Sequence, residues 1–187
     1  MLLHCAARKP RRGRPGYKKS IDIEIMGRVL IIAYGNPLRS DDGLGWRAAE
    51  AMEGKFTPDQ VEIVRVHQLA PELAEAISRS DGVILLDAAT AGSTEMKPGD
   101  IHVEEFQRNK ANQSSRFCHA FSPVSVLELT AELYGVEPRA FFVTMIGEDF
   151  AHGEFLSPRV AAALSAMVGR IETLVEEIVS AKANLKT

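Results

Sequence analysis

Residues 28–34 read Arg-Val-Leu-Ile-Ile-Ala-Tyr, an apolar block that stops at Gly35-Asn36-Pro37. Continuous apolar runs are typical of strands buried on both faces, whereas strands with one exposed face alternate polar and apolar residues. Gly82 to Asp87 and Ala140 to Ile146 are blocks of the same kind. The three blocks predict inner strands of a mostly parallel sheet.

The segments between these blocks predict the remaining elements. Val61 to Val66 alternates apolar and charged residues, which favours a strand nearer the edge. Residues 88–99 contain Gly92, Pro98 and Gly99 and are too broken for a crossover helix, so the strand at Asp100 to Phe106 should be antiparallel or at an edge. Helices are predicted over Leu44 to Glu53, from Pro71, over Pro123 to Tyr134, and from the Ser157-Pro158 cap to about Val179.

The resulting order is β-α-β-α-β-β-α-β-α. It predicts a three-layer α/β/α fold whose five-stranded sheet is mostly parallel, with one antiparallel or edge strand. The chain has 187 residues, which suits one domain over residues 27–187.

Residues 1–26 differ from the rest in charge. Seven of the 22 basic residues lie in residues 1–20, which contain no acid, so the remainder holds 15 basic against 25 acidic side chains. We expect a basic, disordered N-terminal extension that folding does not need. The acidic body disfavours a nucleic-acid partner, and no apolar stretch is long enough to span a membrane. The two cysteines, Cys5 and Cys118, fit a reducing compartment and predict a cytoplasmic protein.

Acidic residues follow two of the predicted strands, at the edge where open α/β sheets bind ligands. Asp87 ends a buried block, where it either meets a metal or substrate cation or caps a neighbouring backbone group. Asp41-Asp42-Gly43 follows the first strand and has three interpretations. The first is a group of helix N-cap residues, which suits Asp41. The second is a dinucleotide-binding loop, which is disfavoured because most of the glycines of that motif are missing. The third is metal binding, which suits Asp42.

His119 is the third candidate, because it closes a polar segment just before the helix at Pro123. A single histidine beside Cys118 is more often structural than a ligand, and adjacent side chains are poorly placed to form a nucleophile pair. Ser157 is interpreted as a helix cap rather than as a catalytic residue.

Several motifs together resemble the hydrogenase maturation endopeptidases, over residues 28 to about 178. They are, in chain order, Gly35-Asn36-Pro37-Leu38, Asp41-Asp42-Gly43-x-Gly45, Leu86-Asp87-Ala88, Cys118-His119-Ala120-Phe121-Ser122-Pro123, Ile146-Gly147-Glu148 and Leu156-Ser157-Pro158. Each motif is weak alone, but their order and spacing are fairly specific. Many members have glutamate where this chain has Asp42.

The resemblance implies an endopeptidase that removes the C-terminal extension of a nickel–iron hydrogenase large subunit after nickel insertion. Asp42, Asp87 and His119 would be the catalytic and metal-contacting residues. The nickel would arrive in the precursor, the expected partner, and the free protein would hold it weakly. The alternative is a non-catalytic, metal-sensing assembly chaperone of the same fold. An ordinary aspartic protease is disfavoured, because that mechanism needs two facing carboxylates that share a proton, and Asp41 and Asp42 are neighbours on one loop.

Overall fold

Strands and helices follow one another in the predicted order. The computed structural model describes residues 28–91, 95–107 and 121–184. A short 3-10 helix, Ser40–Gly43, precedes the first α-helix. The elements are β1 (Val29–Tyr34), α1 (Leu44–Ala51), β2 (Val61–Val66), α2 (Leu73–Ser78), β3 (Gly82–Ala89), β4 (Ile101–Glu105), α3 (Pro123–Tyr134), β5 (Arg139–Ile146) and α4 (Pro158–Asn184).

The five strands form one sheet in the order β2-β1-β3-β5-β4. β1 pairs in parallel with β2 and β3, and β3 pairs in parallel with β5. β4 lies at the edge and is antiparallel to β5, so both features predicted for that strand are confirmed. β2 forms the opposite edge, as its alternating sequence predicted. The carboxyl ends of β1, β2, β3 and β5 therefore meet at one edge of the sheet.

Helices cover both faces of the sheet, which confirms the three-layer architecture. Val29, Ile31 and Ala33 pack with α1 and α4, whereas Leu30 and Ile32 pack with α2 and α3. This alternation explains why Val29 to Ala33 are all apolar, since both faces of β1 are buried. The predicted apolar stripe of α4 lies in the first core, with five members buried and Leu164 partly buried: Val160, Leu164, Val168, Ile171, Val175 and Ile178.

The helix ends follow local sequence signals. Ser122 accepts a hydrogen bond from the Ser125 backbone N–H at 3.1 Å, and Gly135 ends α3 with a φ of 68°. α4 begins at Pro158 as predicted but continues to Asn184, and α2 begins at Leu73 instead of Pro71. Among the described residues, no helix combines the length and the apolar character that crossing a membrane requires. Residues 1–26 lie outside the described ranges, so their predicted disorder stays a prediction.

Candidate active site

Asp42 and Asp87 lie at the carboxyl edge of the sheet, on the turn after β1 and near the end of β3. The turn is held close to the strand by Gly35, whose φ of 127° suits glycine. A Cβ at Gly35 would stand only 2.0 Å from the Asp42 carbonyl oxygen, so no other residue fits there without a backbone shift. The Asn36 backbone N–H donates to Asp42 Oδ2 at 3.1 Å, which orients the carboxylate.

Asp87 lies within β3, two residues before its end, so the prediction that it terminates the strand is wrong. β3 runs on to Ala89 because Asp87, Ala88 and Ala89 continue to pair with β5. Pairing with β1 stops one residue earlier, at Ala33 and Leu86. Asp87 is therefore paired with β5 on one side. On its other side lies the carboxyl end of β1, where the pairing between β1 and β3 has already stopped.

The Asp87 carboxylate is poorly solvated. Burial raises its pKa to about 7 from the ordinary 3.8, and the nearby charge of Asp42 acts in the same direction. Hydrogen bonds from the Tyr34 phenol and from the Ala88 backbone N–H, the latter at 2.8 Å, act in the opposite direction. Burial likewise raises the pKa of Tyr34, and so do the charge of Asp87 and its hydrogen bond. Near neutral pH, Asp87 can therefore either carry a proton or bind a cation.

Asp41 has a different role from the helix cap that the sequence predicted. Its side chain is fully buried and accepts hydrogen bonds from the backbone N–H groups of Glu148, Asp149 and Ser157 at 2.7–2.9 Å, and from Ser157 Oγ at 2.8 Å. Burial alone would raise the pKa of Asp41, but these donors hold it below its ordinary value. Asp41 thus fixes the turn that carries Asp42 to the loop after β5 and to the start of α4.

Backbone pairing strengthens the same connection. The Ser40 N–H donates to the Gly153 carbonyl at 2.7 Å, and the Gly153 N–H donates to the Leu38 carbonyl at 2.9 Å. Ser40 has a φ of 46°, which is uncommon for a residue with a side chain. A Cβ at Gly153 would lie 2.6 Å from Ser40 Oγ, so a larger residue there would require the Ser40 side chain to move. The positive φ of Ser40 is a strained backbone conformation. Strain of this kind persists only where the surrounding structure determines the conformation, as the pairing of Ser40 with Gly153 does here.

The third predicted site residue, His119, lies outside the described residues, as does Cys118. α3 begins nearby, and Phe121 packs on the face of the sheet that also carries Tyr34. Within the described ranges, no three histidine, cysteine, aspartate or glutamate side chains form a group that could hold a metal. The structure therefore brings together two of the three predicted residues and leaves His119 untested.

The two carboxylates fit a divalent cation. Asp87 carries a charge that burial disfavours, and Asp42 lies close enough to raise the pKa of Asp87 further. A cation bound there would offset both effects, and carboxylate oxygens are common ligands for divalent metals.

Sequence reasoning missed Tyr34, the phenol that hydrogen-bonds to Asp87. The only signal was its position as the last residue of the first apolar block, where a tyrosine is easily taken for another core residue.

No family model matches the sequence, and no curated protein does either. Solved structures do match. The hydrogenase maturating endopeptidase HybD from E. coli has a TM-score of 0.67 and 26% identity, and the match covers 80% of this chain and 93% of that one. The nickel–iron hydrogenase maturation protease HybD from Thermococcus kodakarensis has a TM-score of 0.64 and 24% identity, and the match covers 79% of this chain and 99% of that one. HycI, a protease of the same description from T. kodakarensis, has a TM-score of 0.58 and 18% identity, with 84% and 97% covered.

These matches extend over nearly the whole of each known structure and over most of this chain. They match the α/β fold of this chain, with its mixed five-stranded sheet. The resemblance predicted from the sequence is confirmed: this chain has the fold of the hydrogenase maturation endopeptidases.

Proposed function

We propose that this protein is an endopeptidase that removes the C-terminal extension from the large subunit of a nickel–iron hydrogenase after nickel insertion. The observation that carries the proposal is the position of Asp42 and Asp87. Two carboxylates lie together at the carboxyl edge of a sheet whose fold matches a hydrogenase maturating endopeptidase over 80% of the chain. Ligand sites of open α/β sheets lie at that edge.

Nickel is a part of the substrate in this proposal. Asp42, Asp87 and His119 would contact the metal in the precursor and leave its other positions to groups of the precursor itself. Imidazole and carboxylate ligands suit nickel but hold it less tightly than thiolates would. The free protein should therefore bind nickel weakly, because the precursor completes the set of ligands.

His119 is the third proposed metal contact. It stands two residues before Phe121, which packs on the face of the sheet that carries Tyr34. As a metal contact, its imidazole would add a neutral nitrogen ligand to the two carboxylates. His119→Ala should abolish cleavage and leave the fold intact.

The cleavage step is hydrolysis of one peptide bond. Water adds to the carbonyl carbon, the C–N bond breaks, and the leaving amine takes a proton. Asp87 has a pKa near 7 in the metal-free protein, but contact with a metal cation would favour its charged form, so we assign it the role of a metal-contacting carboxylate. Contact with the metal would position the scissile segment against these groups, and it would restrict cleavage to precursor that already contains nickel.

The test is incubation of the protein with nickel-loaded and nickel-free large-subunit precursor, followed by intact-mass spectrometry of the large subunit. We expect loss of the C-terminal extension from loaded precursor only. Asp42→Asn, Asp87→Asn and His119→Ala should each reduce the rate at least a hundredfold. Asp59→Asn is the matched control, because Asp59 is exposed in the turn before β2 and its loss should leave the rate unchanged.

Two outcomes would contradict the proposal. Equal cleavage of the empty precursor would mean that the metal is not recognised. A stable complex without cleavage would identify a metal-sensing chaperone. We further propose a cytoplasmic location, since two cysteines in 187 residues fit a reducing compartment.

A further inference from the structure

We propose that Tyr34 is a positioning residue that fixes the orientation of the Asp87 carboxylate toward the substrate metal. This inference rests on the function proposed above, but the hydrogen bond at its centre can be tested without it. The phenol O–H of Tyr34 donates to the Asp87 carboxylate from the last position of β1.

Strand register places the two side chains side by side. β1 and β3 are parallel and pair Ala33 with Leu86, so the next position on each strand carries Tyr34 and Asp87. Residues at the same level of neighbouring strands project from the same face of a sheet. On that face, Tyr34 packs against the core formed with α2 and α3. The phenol ring is therefore held by packing, which gives its hydroxyl a fixed direction.

The Asp87 carboxylate receives a second hydrogen bond from the Ala88 backbone N–H, which donates to Oδ1 at 2.8 Å. Two donors restrict rotation of the carboxylate and leave the remaining lone pairs for a ligand. Groups that hydrogen-bond to a metal-binding side chain orient it, and their loss typically costs about tenfold to a hundredfold in metal affinity or activity. Tyr34→Phe removes the donor and keeps the ring.

The chain offers two matched controls. Tyr134 lies at the end of α3, is 45% exposed, and allows the same chemical change far from the carboxyl edge. Thr144 pairs with Asp87 from the other neighbouring strand, and the groups that hydrogen-bond to the Asp87 carboxylate are Tyr34 and the Ala88 N–H instead. Thr144→Val therefore removes a hydroxyl from the residue paired with Asp87 and keeps both hydrogen bonds to the Asp87 carboxylate. An effect specific to the hydrogen bond should appear in Tyr34→Phe and in neither control.

The first measurement is the carboxyl carbon resonance of Asp87 in the metal-free protein at pH 9, by NMR. Tyr34→Phe should shift it, and the two controls should not. The second is cleavage kinetics on nickel-loaded precursor, where kcat/KM should fall about tenfold to a hundredfold, mainly through a rise in KM. In an Asp87→Asn background, the same change should have little further effect, because the two residues act together.

An unchanged Asp87 resonance in Tyr34→Phe overturns the inference, whether or not the protein cleaves a precursor. An equal loss of kcat/KM in Thr144→Val also overturns it, because the effect would then come from any polar change beside Asp87. If the unaltered protein does not cleave the precursor, that result contradicts the proposed function and not this inference. The NMR shift alone then tests whether Tyr34 hydrogen-bonds to Asp87.

Discussion

Asp41 and Ser157 are joined by two hydrogen bonds although 116 residues separate them in the sequence. The Ser157 backbone N–H and its hydroxyl donate to the two oxygens of the Asp41 carboxylate at 2.7 and 2.8 Å. The same carboxylate binds the N–H groups of Glu148 and Asp149. One buried side chain thus connects the turn after β1, the loop after β5 and the start of α4.

We expect Asp41→Ala to lower the free energy of unfolding by about 3 kcal/mol or more, because several buried N–H groups would lose their acceptor. Ser157→Ala removes one donor and should cost only about 1 kcal/mol. Urea denaturation followed by circular dichroism measures both. Asp59→Ala is the control and should change little. A near-neutral Asp41→Ala variant would show that water satisfies these groups.

Gly45 sets the distance between α1 and the sheet. A Cβ there would meet the Leu86 carbonyl oxygen at 2.9 Å and the Tyr34 carbonyl oxygen at 3.1 Å, and both are backbone atoms that cannot rotate away. Gly45→Ala should push α1 outward, reduce stability by about 1–3 kcal/mol and slow cleavage by displacing Asp42.

Gly169 provides the opposite case, because it lies exposed within α4 and a Cβ there would contact nothing within 4 Å. Gly169→Ala should stabilise the protein by about 0.5–1 kcal/mol through helix propensity and leave cleavage unchanged. Thermal unfolding of both variants measures the contrast. If the two substitutions behaved alike, helix propensity and not the close approach of α1 would determine the effect.

Asp87→Asn should stabilise the metal-free protein, and more so as the pH rises. The pKa of Asp87 is about 7 when folded and near 3.8 when unfolded, so the folded state binds this proton more tightly. The resulting stabilisation is complete below about pH 4 and is lost as the pH rises through 7. Asn is uncharged throughout. The advantage of the variant in unfolding free energy should therefore grow between pH 5 and pH 8, by at most a few kcal/mol.

Urea denaturation of both proteins at pH 5, 6, 7 and 8 tests this expectation, with Asp59→Asn as the control whose difference from the original protein should stay constant. A difference for Asp87→Asn that did not change with pH would mean that Asp87 titrates normally.

Removal of residues 1–25 should leave folding intact. Residues 1–20 carry seven basic side chains and no acid, and this like charge opposes their packing, so ordering the segment would cost conformational entropy. A chain that begins at Met26 should melt within about 2 °C of the full chain, since a loss of 1 kcal/mol corresponds to about 2–4 °C at this size. A drop of 10 °C would show that the basic segment packs against the body.

The sequence predicted the sheet because burial on both faces leaves a strong local pattern. Residues 28–34, 82–87 and 140–146 have no polar alternation, and all three lie in inner strands. The position of Asp42 and Asp87 followed from the same pattern, since parallel strands bring their carboxyl ends to one edge. The extra length of β3 did not follow, because Ala88 and Ala89 are strand residues only through their pairing with β5.

The contacts that hold the candidate site together were not predictable in the same way. The partners of Asp41 are 107 to 116 residues away, and a hydrogen bond over that distance leaves no periodicity in the sequence. Tyr34 ends an apolar block and resembles a core residue in the sequence, yet its hydroxyl donates a hydrogen bond to Asp87. His119 stays a prediction.

The connection through Asp41 also determines when the protein can become active during its synthesis. A ribosome releases β1 and Asp42 early, but Glu148, Asp149 and Ser157 emerge only more than a hundred residues later. Until then these partners of Asp41 are absent from the nascent chain, so its carboxylate stays hydrated and the turn that carries Asp42 lacks the hydrogen bonds that hold it in the folded protein. We therefore expect nascent and prematurely terminated chains to be inactive on the nickel-loaded precursor.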